Sequence, residues 1–201
     1  MTRAPLILVV GMHRSGTSLL GSLLPACGIA MPGPLIAGDT HNPEGYFERA
    51  DITALQEQLL IDLERWWPSP RGMEPLPKNW LTSKPGQMAL RDLIALLQVE
   101  AERQQGPWAI KDPRSSLLLP LWKQACLTLK IPLQLLLAVR DPAEVMVSLV
   151  RRDQAVTGVD GWRAQRLWWH HNAQVLHDGA DLPLQVVSYG HWFNPGTALQ
   201  Q

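Results

Sequence analysis

The sequence has little cysteine and no excess of charge, and both shortages exclude classes of protein. Cys27 and Cys126 are its two cysteines, and neither has the C-x-x-C or histidine-associated spacing of a metal site or redox motif. We therefore expect two reduced, buried thiols. Lys and Arg together number 18, as do Asp and Glu, so no overall positive field attracts polyanions, and we expect no nucleic-acid partner.

Long apolar runs are missing as well. No run approaches the length that spans a bilayer, and no signal-like segment precedes the first apolar run at Leu6. We expect a cytoplasmic protein without a membrane span. Hydrophobic residues make up 46% and charged residues 18% of the 201 residues, a globular balance in a chain long enough for one core. We expect a single domain over residues 1–201.

What the sequence does have is a glycine-bounded octapeptide between two apolar segments, Gly11-Met12-His13-Arg14-Ser15-Gly16-Thr17-Ser18. Strand, turn and helix in this order are typical of an anion-binding loop, in which glycines permit the turn that points amide groups at the anion. The spacing is that of G-x-x-x-x-G-K-[ST], but Thr17 replaces the lysine that reaches the β- and γ-phosphates. The cation stands instead at Arg14, which suits a shorter anion than a triphosphate. The alternative is an ordinary strand-to-helix turn capped by Ser15 or Thr17.

Apolar periodicity predicts an α/β fold. The expected strands are Leu6–Val10, Trp108–Ile110, Leu133–Val139 and Leu184–Ser188, and the expected helices are Thr17–Cys27, Ala50–Trp66, Gly86–Gln104, Ser115–Leu129 with a kink or late start at Pro120, Pro142–Arg151 and Gly161–Asp178. We predict a P-loop-type three-layer sandwich, a parallel sheet of about four to five strands covered by helices on both faces. Residues 31–47, rich in Pro and Gly, predict a long irregular lid.

In a parallel sheet ligands bind at the carboxyl ends of the strands, where the octapeptide, Lys111 and Arg140 are expected to meet. With Pro142 opening the following helix, Ser148 lies nearly two turns in, so its hydroxyl could share an anion with the guanidinium fork of Arg140. The alternative is that Arg140 pairs with Asp141 or Glu144 and that Ser148 is a helix-surface residue.

These segments resemble the sulfotransferases that use 3′-phosphoadenosine-5′-phosphosulfate, the activated sulfate donor. The octapeptide is similar to the family's 5′-phosphosulfate loop, and the segment Arg140-Asp141-Pro142-Ala143-Glu144-Val145-Met146-Val147-Ser148 is similar to its 3′-phosphate motif. Two further segments resemble the tyrosylprotein and bacterial branches, Lys111-Asp112-Pro113-Arg114 and Asn42-Pro43-Glu44-Gly45-Tyr46-Phe47-Glu48. The resemblance extends from about Leu6 to Tyr189.

The resemblance implies in-line sulfuryl transfer to a hydroxyl or amine acceptor, with the donor as co-substrate and no metal. The donor-binding residues would then be His13, Arg14, Ser15, Gly16, Thr17, Ser18, Arg140 and Ser148. During transfer, negative charge grows on the oxygen that joins the sulfur to the leaving phosphate. Arg14 and Lys111 are the candidates for stabilising this charge. Glu48 is the first candidate for the general base. Glu44 and His41 are the alternatives.

Three functions are compared at this point: a sulfotransferase, a P-loop kinase of a small molecule, which Thr17 disfavours, and a catalytically silent nucleotide-binding module. Family members continue beyond the position of Tyr189 with basic and glycine residues that close over the donor. A naturally short protein, a truncated one and one completed by a partner chain all stay open. Glycan, peptide, lipid headgroup and small molecule are all open as acceptors, and the sequence predicts no oligomeric state.

Overall fold

A parallel sheet of four strands organises the chain, of which the computed structural model describes residues 3–40 and 42–193. The strands are β1 (Leu6–Val10), β2 (Trp108–Lys111), β3 (Leu133–Val139) and β4 (Leu184–Ser188). The α-helices are α1 (Thr17–Leu23), α2 (Ala50–Asp62), α3 (Lys84–Arg103), α4 (Leu119–Leu129), α5 (Pro142–Thr157) and α6 (Gly161–Asp178). The α/β prediction is confirmed, with a sheet at the lower end of the expected strand number.

The strand order is β2-β1-β3-β4, and every neighbouring pair is parallel. Leu8 lies opposite Ile110 on one side and Leu135 on the other. Since β1 and β3 are direct neighbours, the loop after Val10 and the residue after Val139 emerge side by side at the carboxyl edge. The topology therefore brings together two segments that are about 130 residues apart in the sequence.

Both faces of the sheet are covered. Leu6, Leu8 and Val10 belong to a core cluster with apolar residues of α2, α3 and α4. Val9, on the opposite face, packs in a second cluster with Leu20 of α1. Central strands buried on both sides need apolar residues without alternation, which explains the unbroken apolar run of β1.

A third cluster lies beyond the carboxyl edge and fixes α5 and α6 there. Met12 of the octapeptide packs with Val145 and Leu149 of α5, Leu167 of α6 and Trp67 of the connection after α2. This packing holds the first turns of α5 against the octapeptide. Among the described helices, none is both long and apolar enough to span a bilayer.

The bounds of several helices differ from the sequence-based prediction. The first helix ends at Leu23, because Pro25 starts a 3₁₀ turn that Gly28 terminates with a φ of 76°. The fourth takes the late start that was one of the two predictions: it begins at Leu119, with Pro120 in its first turn, where the missing amide costs nothing. The fifth continues to Thr157.

The two thiols differ in exposure. Cys126 is buried within α4, as expected, but Cys27 is exposed at the end of the 3₁₀ turn, so the prediction of a buried thiol there is wrong. The apolar pattern that suggested burial belongs to a helix that has already ended at Leu23.

The start of the octapeptide requires glycine. Gly11 has a φ of 131°, and a Cβ there would clash with the carbonyl oxygen of Ala138 in β3. Gly11→Ala is therefore expected to lower the free energy of unfolding by about 2 kcal/mol or more. Gly106→Ala is the matched control, since its Cβ would meet nothing within 4 Å. Chemical denaturation of both variants checks this, and equal stability would contradict the close approach of loop and strand.

Candidate functional site

The octapeptide forms a tight loop whose side-chain cation is held by α5. Arg14 has a φ of 69°, in the left-handed region that non-glycine residues rarely adopt. Its Nε donates a 2.9 Å hydrogen bond to Ser148 Oγ. Burial and the neighbouring charge of Arg152 lower the pKa of Arg14 from its ordinary value. The loop and the arginine–serine segment, predicted separately, are thus directly connected.

Arg140 stands beside this connection. Its Nη1 donates to the carbonyl oxygen of Arg14 at 3.4 Å, and its Nε donates to Glu144 Oε2 at 2.6 Å. The guanidinium lies 4.2 Å from the ring centroid of Tyr189, a cation–π contact. Tyr189 also fills the space that a Cβ on Gly16 would need. The pairing of Arg140 with Glu144, which the sequence analysis gave as the alternative, therefore occurs, while Arg140 and Ser148 also line one groove.

Lys111, at the end of β2, is buried, and its ammonium group donates three hydrogen bonds. Its Nζ donates to Glu48 Oε1 at 2.6 Å, to the carbonyl oxygen of Tyr46 at 3.0 Å and to Ser18 Oγ at 3.3 Å. Glu48 is only 5% exposed, and Lys111 only 2%. The ammonium group therefore ties the lid segment to the octapeptide.

The second oxygen of Glu48 is also paired. Arg114 Nη1 lies 3.1 Å from Glu48 Oε2 and 3.1 Å from Asp112 Oδ1. Thr53 Oγ1 donates to the other Asp112 oxygen at 2.9 Å. Burial by itself lowers the pKa of Arg114, but Asp112 and Glu48 outweigh it and raise the pKa. Glu48 therefore sits between two buried cations.

The lid segment lies over the octapeptide, and its described residues belong to no helix or strand, as expected. Asn42 Nδ2 donates to Ser18 Oγ at 3.2 Å and to the carbonyl oxygen of Gly45. Phe47 has a φ of 56° and occupies the space beside Gly21 of α1 that a Cβ would need. This turn directs the Tyr46 carbonyl and the Glu48 carboxylate toward Lys111.

These groups enclose a cavity of about 280 Å³. Its charged lining consists of five cations and one carboxylate: Arg14, Lys111, Arg114, Arg140, Arg152 and Glu48. A chain with a formal net charge of zero thus concentrates positive charge at the carboxyl edge of its sheet. Such a cavity favours a ligand with several negative charges.

A shallower groove of about 730 Å³ adjoins the cavity. Arg14, Arg140 and Arg152 line both spaces, and Ser148 and Thr40 line the groove. Several arginine side chains in one groove are suited to a phosphate monoester, which their planar forks can bind through two oxygens. One ligand could therefore place anionic groups in the cavity and in the groove.

The structure brings most predicted residues to this site but leaves some aside. The cavity is lined by His13, Arg14, Gly16, Thr17, Ser18, Glu48, Lys111 and Arg140. Ser15 is 1% exposed, does not line the cavity, and its amide donates to the carbonyl oxygen of Met12. Glu44 is exposed and does not line the cavity. His41 lies outside the described residues. A role for each stays a prediction.

Sequence reasoning did not name Tyr189 or Arg152 as site residues, although both line the cavity. Tyr189 follows β4 directly, so the rule that ligands meet strand ends could have identified it. Arg152 lies one turn after Ser148 on the same face of α5, a spacing visible in the sequence. Trp67 belongs to the tryptophan-containing stretch from Trp66 to Trp80 that the sequence suggests as part of the acceptor pocket, and it lines the cavity.

His13 of the octapeptide and His171 of α6 form a buried pair of histidines. The ring of His13 is 4.8 Å from that of Trp67 and 6.3 Å from that of His171. Burial, followed by the charges of Arg114 and Arg152, lowers the pKa of His13 well below its ordinary value. Burial and the charge of His170 lower the pKa of His171 to about 3. Both rings are therefore neutral at physiological pH.

Known proteins are similar to this chain in fold. No protein-family profile and no curated protein sequence matches it. A sulfotransferase domain from the curacin biosynthetic pathway aligns over 100% of this chain and 73% of its own, at 16% identity and a TM-score of 0.57. A sulfotransferase domain from the Synechococcus PCC 7002 olefin synthase aligns over 92% and 66%, at 20% identity and a TM-score of 0.48. A candidate kinase from Chloroflexus aurantiacus aligns over 94% and 90%, at 14% identity and a TM-score of 0.43.

The likeness to the curacin-pathway domain shows that the chain shares the fold of that sulfotransferase domain. The chain therefore shares this domain's fold in addition to the resemblance of its motifs, although the two sequences are only 16% identical. Among the described residues no group of three or more His, Cys, Asp or Glu side chains could hold a metal ion.

The buried histidines should make stability depend on pH. The folded-state pKa of His171, about 3, lies below the unfolded value of about 6.5, so the unfolded chain takes up the proton first. Stability is thus full above pH 6.5 and falls as the pH is lowered toward 3, by up to about 1.4 kcal/mol per pH unit for this group.

His171→Phe is expected to remove that part of the slope in denaturation series between pH 6.5 and 4.5. His177→Phe is the control, because the His177 side chain is 84% exposed. Equal slopes in wild type and His171→Phe would contradict burial of the neutral ring.

Proposed function

We propose that this protein transfers a sulfuryl group from 3′-phosphoadenosine-5′-phosphosulfate to a hydroxyl or amine acceptor. The observation that carries the proposal is the direct contact between Arg14 and Ser148, with Arg140 beside it, at a cavity lined by five cations and one carboxylate. A donor with a phosphosulfate at one end and a phosphate monoester at the other has matching charge at two separated places.

The octapeptide residues fit the 5′ end of this donor. The amides of Thr17 and Ser18 begin α1, so neither has a partner within the helix. Thr17 and Ser18 line the cavity, and so does Gly16, whose missing side chain leaves room for the Tyr189 ring. Thr17 in place of a lysine supports an anion shorter than a triphosphate.

Arg140 and Ser148 fit the 3′-phosphate. Ser148 Oγ accepts the hydrogen bond from Arg14, so its own hydrogen is free to donate to a phosphate oxygen. Arg140 lies against the Tyr189 ring, which limits the positions that its guanidinium can take. Arg152 lines cavity and groove, where a two-point ion pair with Asp153 holds its guanidinium.

Arg14 and Lys111 supply the electrostatic part of the transfer. Negative charge grows on the oxygen between sulfur and the leaving phosphate, and cations already in place stabilise it without reorganisation. Glu48 fixes Lys111 Nζ at 2.6 Å, and the Tyr46 carbonyl fixes it from a second side. Removal of one such preorganised donor typically costs about 10²–10³-fold in kcat.

A nucleotide titration separates this function from a small-molecule kinase. Isothermal calorimetry is expected to show binding of 3′-phosphoadenosine-5′-phosphate without Mg²⁺ and much weaker binding of ATP with Mg²⁺, because the octapeptide lacks the lysine for a γ-phosphate. Tighter binding of Mg²⁺–ATP would contradict the proposal and favour the kinase.

Transfer from a ³⁵S-labelled donor to a panel of phenols, sugars, peptides and lipid headgroups then distinguishes an enzyme from a silent nucleotide-binding module. We expect label on at least one acceptor class. Donor-product binding without labelling of any acceptor would favour the silent module.

A further inference from the structure

The proposed transfer requires a group that takes the acceptor's proton, and Glu48 is poorly placed to do so. Its Oε1 pairs with Lys111 and its Oε2 with Arg114, both within the buried interior. Protonation of this carboxylate would leave the two buried cations without the counter-charge that they share. Glu48 therefore suits a positioning role, and the proton needs another destination.

His13 lines the same cavity and immediately precedes Arg14. The residue is 8% exposed, and its Nε2 is enclosed without a hydrogen-bond partner. Its ring is held against the Trp67 indole at 4.8 Å and 30°. Because Nε2 is enclosed, we assign the other ring nitrogen, Nδ1, to the cavity side.

The neighbouring ring of His171 offers a partner for the enclosed Nε2 of His13. Its Nδ1 lies 2.8 Å from the carbonyl oxygen of Leu167, which only accepts hydrogen bonds, so the hydrogen of the neutral ring is on Nδ1. Nε2 of His171 is then a lone-pair acceptor, and it too is enclosed without a partner. The rings of His13 and His171 meet edge to face, at 6.3 Å and 71°. The hydrogen of neutral His13 satisfies both enclosed nitrogens if it resides on Nε2 and reaches His171 through one buried water.

We propose that His13 Nδ1 accepts the proton of the acceptor hydroxyl or amine during sulfuryl transfer, and that His171 positions His13 in the required tautomer. This inference rests on the proposed function. As the acceptor oxygen or nitrogen forms its bond to sulfur, the bond between sulfur and the bridging phosphate oxygen breaks, and that oxygen keeps the electron pair. The acceptor's proton moves to the Nδ1 lone pair, and His13 releases it to solvent through the cavity once the products leave.

The charges around His13 suit this cycle. Burial first, and then the charges of Arg114 and Arg152, lower the pKa of His13 and keep the free imidazole neutral, so its lone pair is available when the acceptor arrives. The negative charges of the bound donor offset these cations, which reduces the cost of an imidazolium during transfer. His171 is neutral as well, and its ring adds no charge that would repel the proton.

The test measures transfer and donor-product binding in the same variants. His13→Ala is expected to lower kcat by at least about 10²-fold and to regain activity with added imidazole, whether or not the Kd of 3′-phosphoadenosine-5′-phosphate changes, since His13 is also a predicted donor-binding residue. His13→Asn, which keeps a polar side chain in the loop, is expected to show the same loss in kcat without a loss of folding. His171→Phe is expected to lower kcat about tenfold, and the exposed control His177→Phe to leave it unchanged.

Glu48→Ala with added formate tests the competing base. Rescue of Glu48→Ala by formate, together with no rescue of His13→Ala by imidazole, would overturn the inference and identify Glu48 as the base. Wild-type turnover in His13→Asn would overturn it too, as would a loss that imidazole does not reverse. Failure of the wild-type protein to bind the donor product would instead contradict the proposed function itself.

Discussion

The confinement of several cations to one small cavity is the constraint on which the rest of this structure depends. Like charges in a partly buried space repel one another, so each has to be held by a specific partner. Ser148 accepts from Arg14, and Glu48 neutralises part of the charge of Lys111 and Arg114. The fold supplies further partners as well, since Asp112 pairs with Arg114, Glu144 with Arg140 and Asp153 with Arg152. A polyanionic ligand relieves the repulsion when it binds.

The sheet topology makes this confinement possible. Adjacent β1 and β3 place the octapeptide beside the start of α5, and Gly11 lets the loop approach Ala138 without a clash. The apolar cluster around Met12 then locks α5 and α6 over the edge of the sheet. Packing of ordinary apolar side chains therefore sets the distances between the cations, and the proposed donor chemistry follows from those distances.

Much of this could be predicted from the sequence, and what could not has physical reasons. The β3 and β4 segments and the meeting of Arg14, Lys111 and Arg140 follow from local apolar patterns and from the rule for parallel sheets. The pairing of Glu48 with two cations was not predictable, since it depends on a left-handed turn at Phe47, a residue without a left-handed preference. The contact of His13 with His171 joins positions far apart in the sequence, and no spacing rule indicates it.

The most direct measurement compares two nucleotides that differ only in the 3′-phosphate, adenosine 3′,5′-bisphosphate and adenosine 5′-monophosphate, by calorimetry on the wild-type protein at fixed ionic strength. Arg140 and Ser148 would each donate a hydrogen bond to that phosphate, and charge-assisted bonds contribute about 1.5–3 kcal/mol each. The bisphosphate is therefore expected to bind at least about 100-fold more tightly. Equal affinity of the two nucleotides would contradict the assignment of the groove beside Ser148 to a phosphate and, with it, the proposed donor.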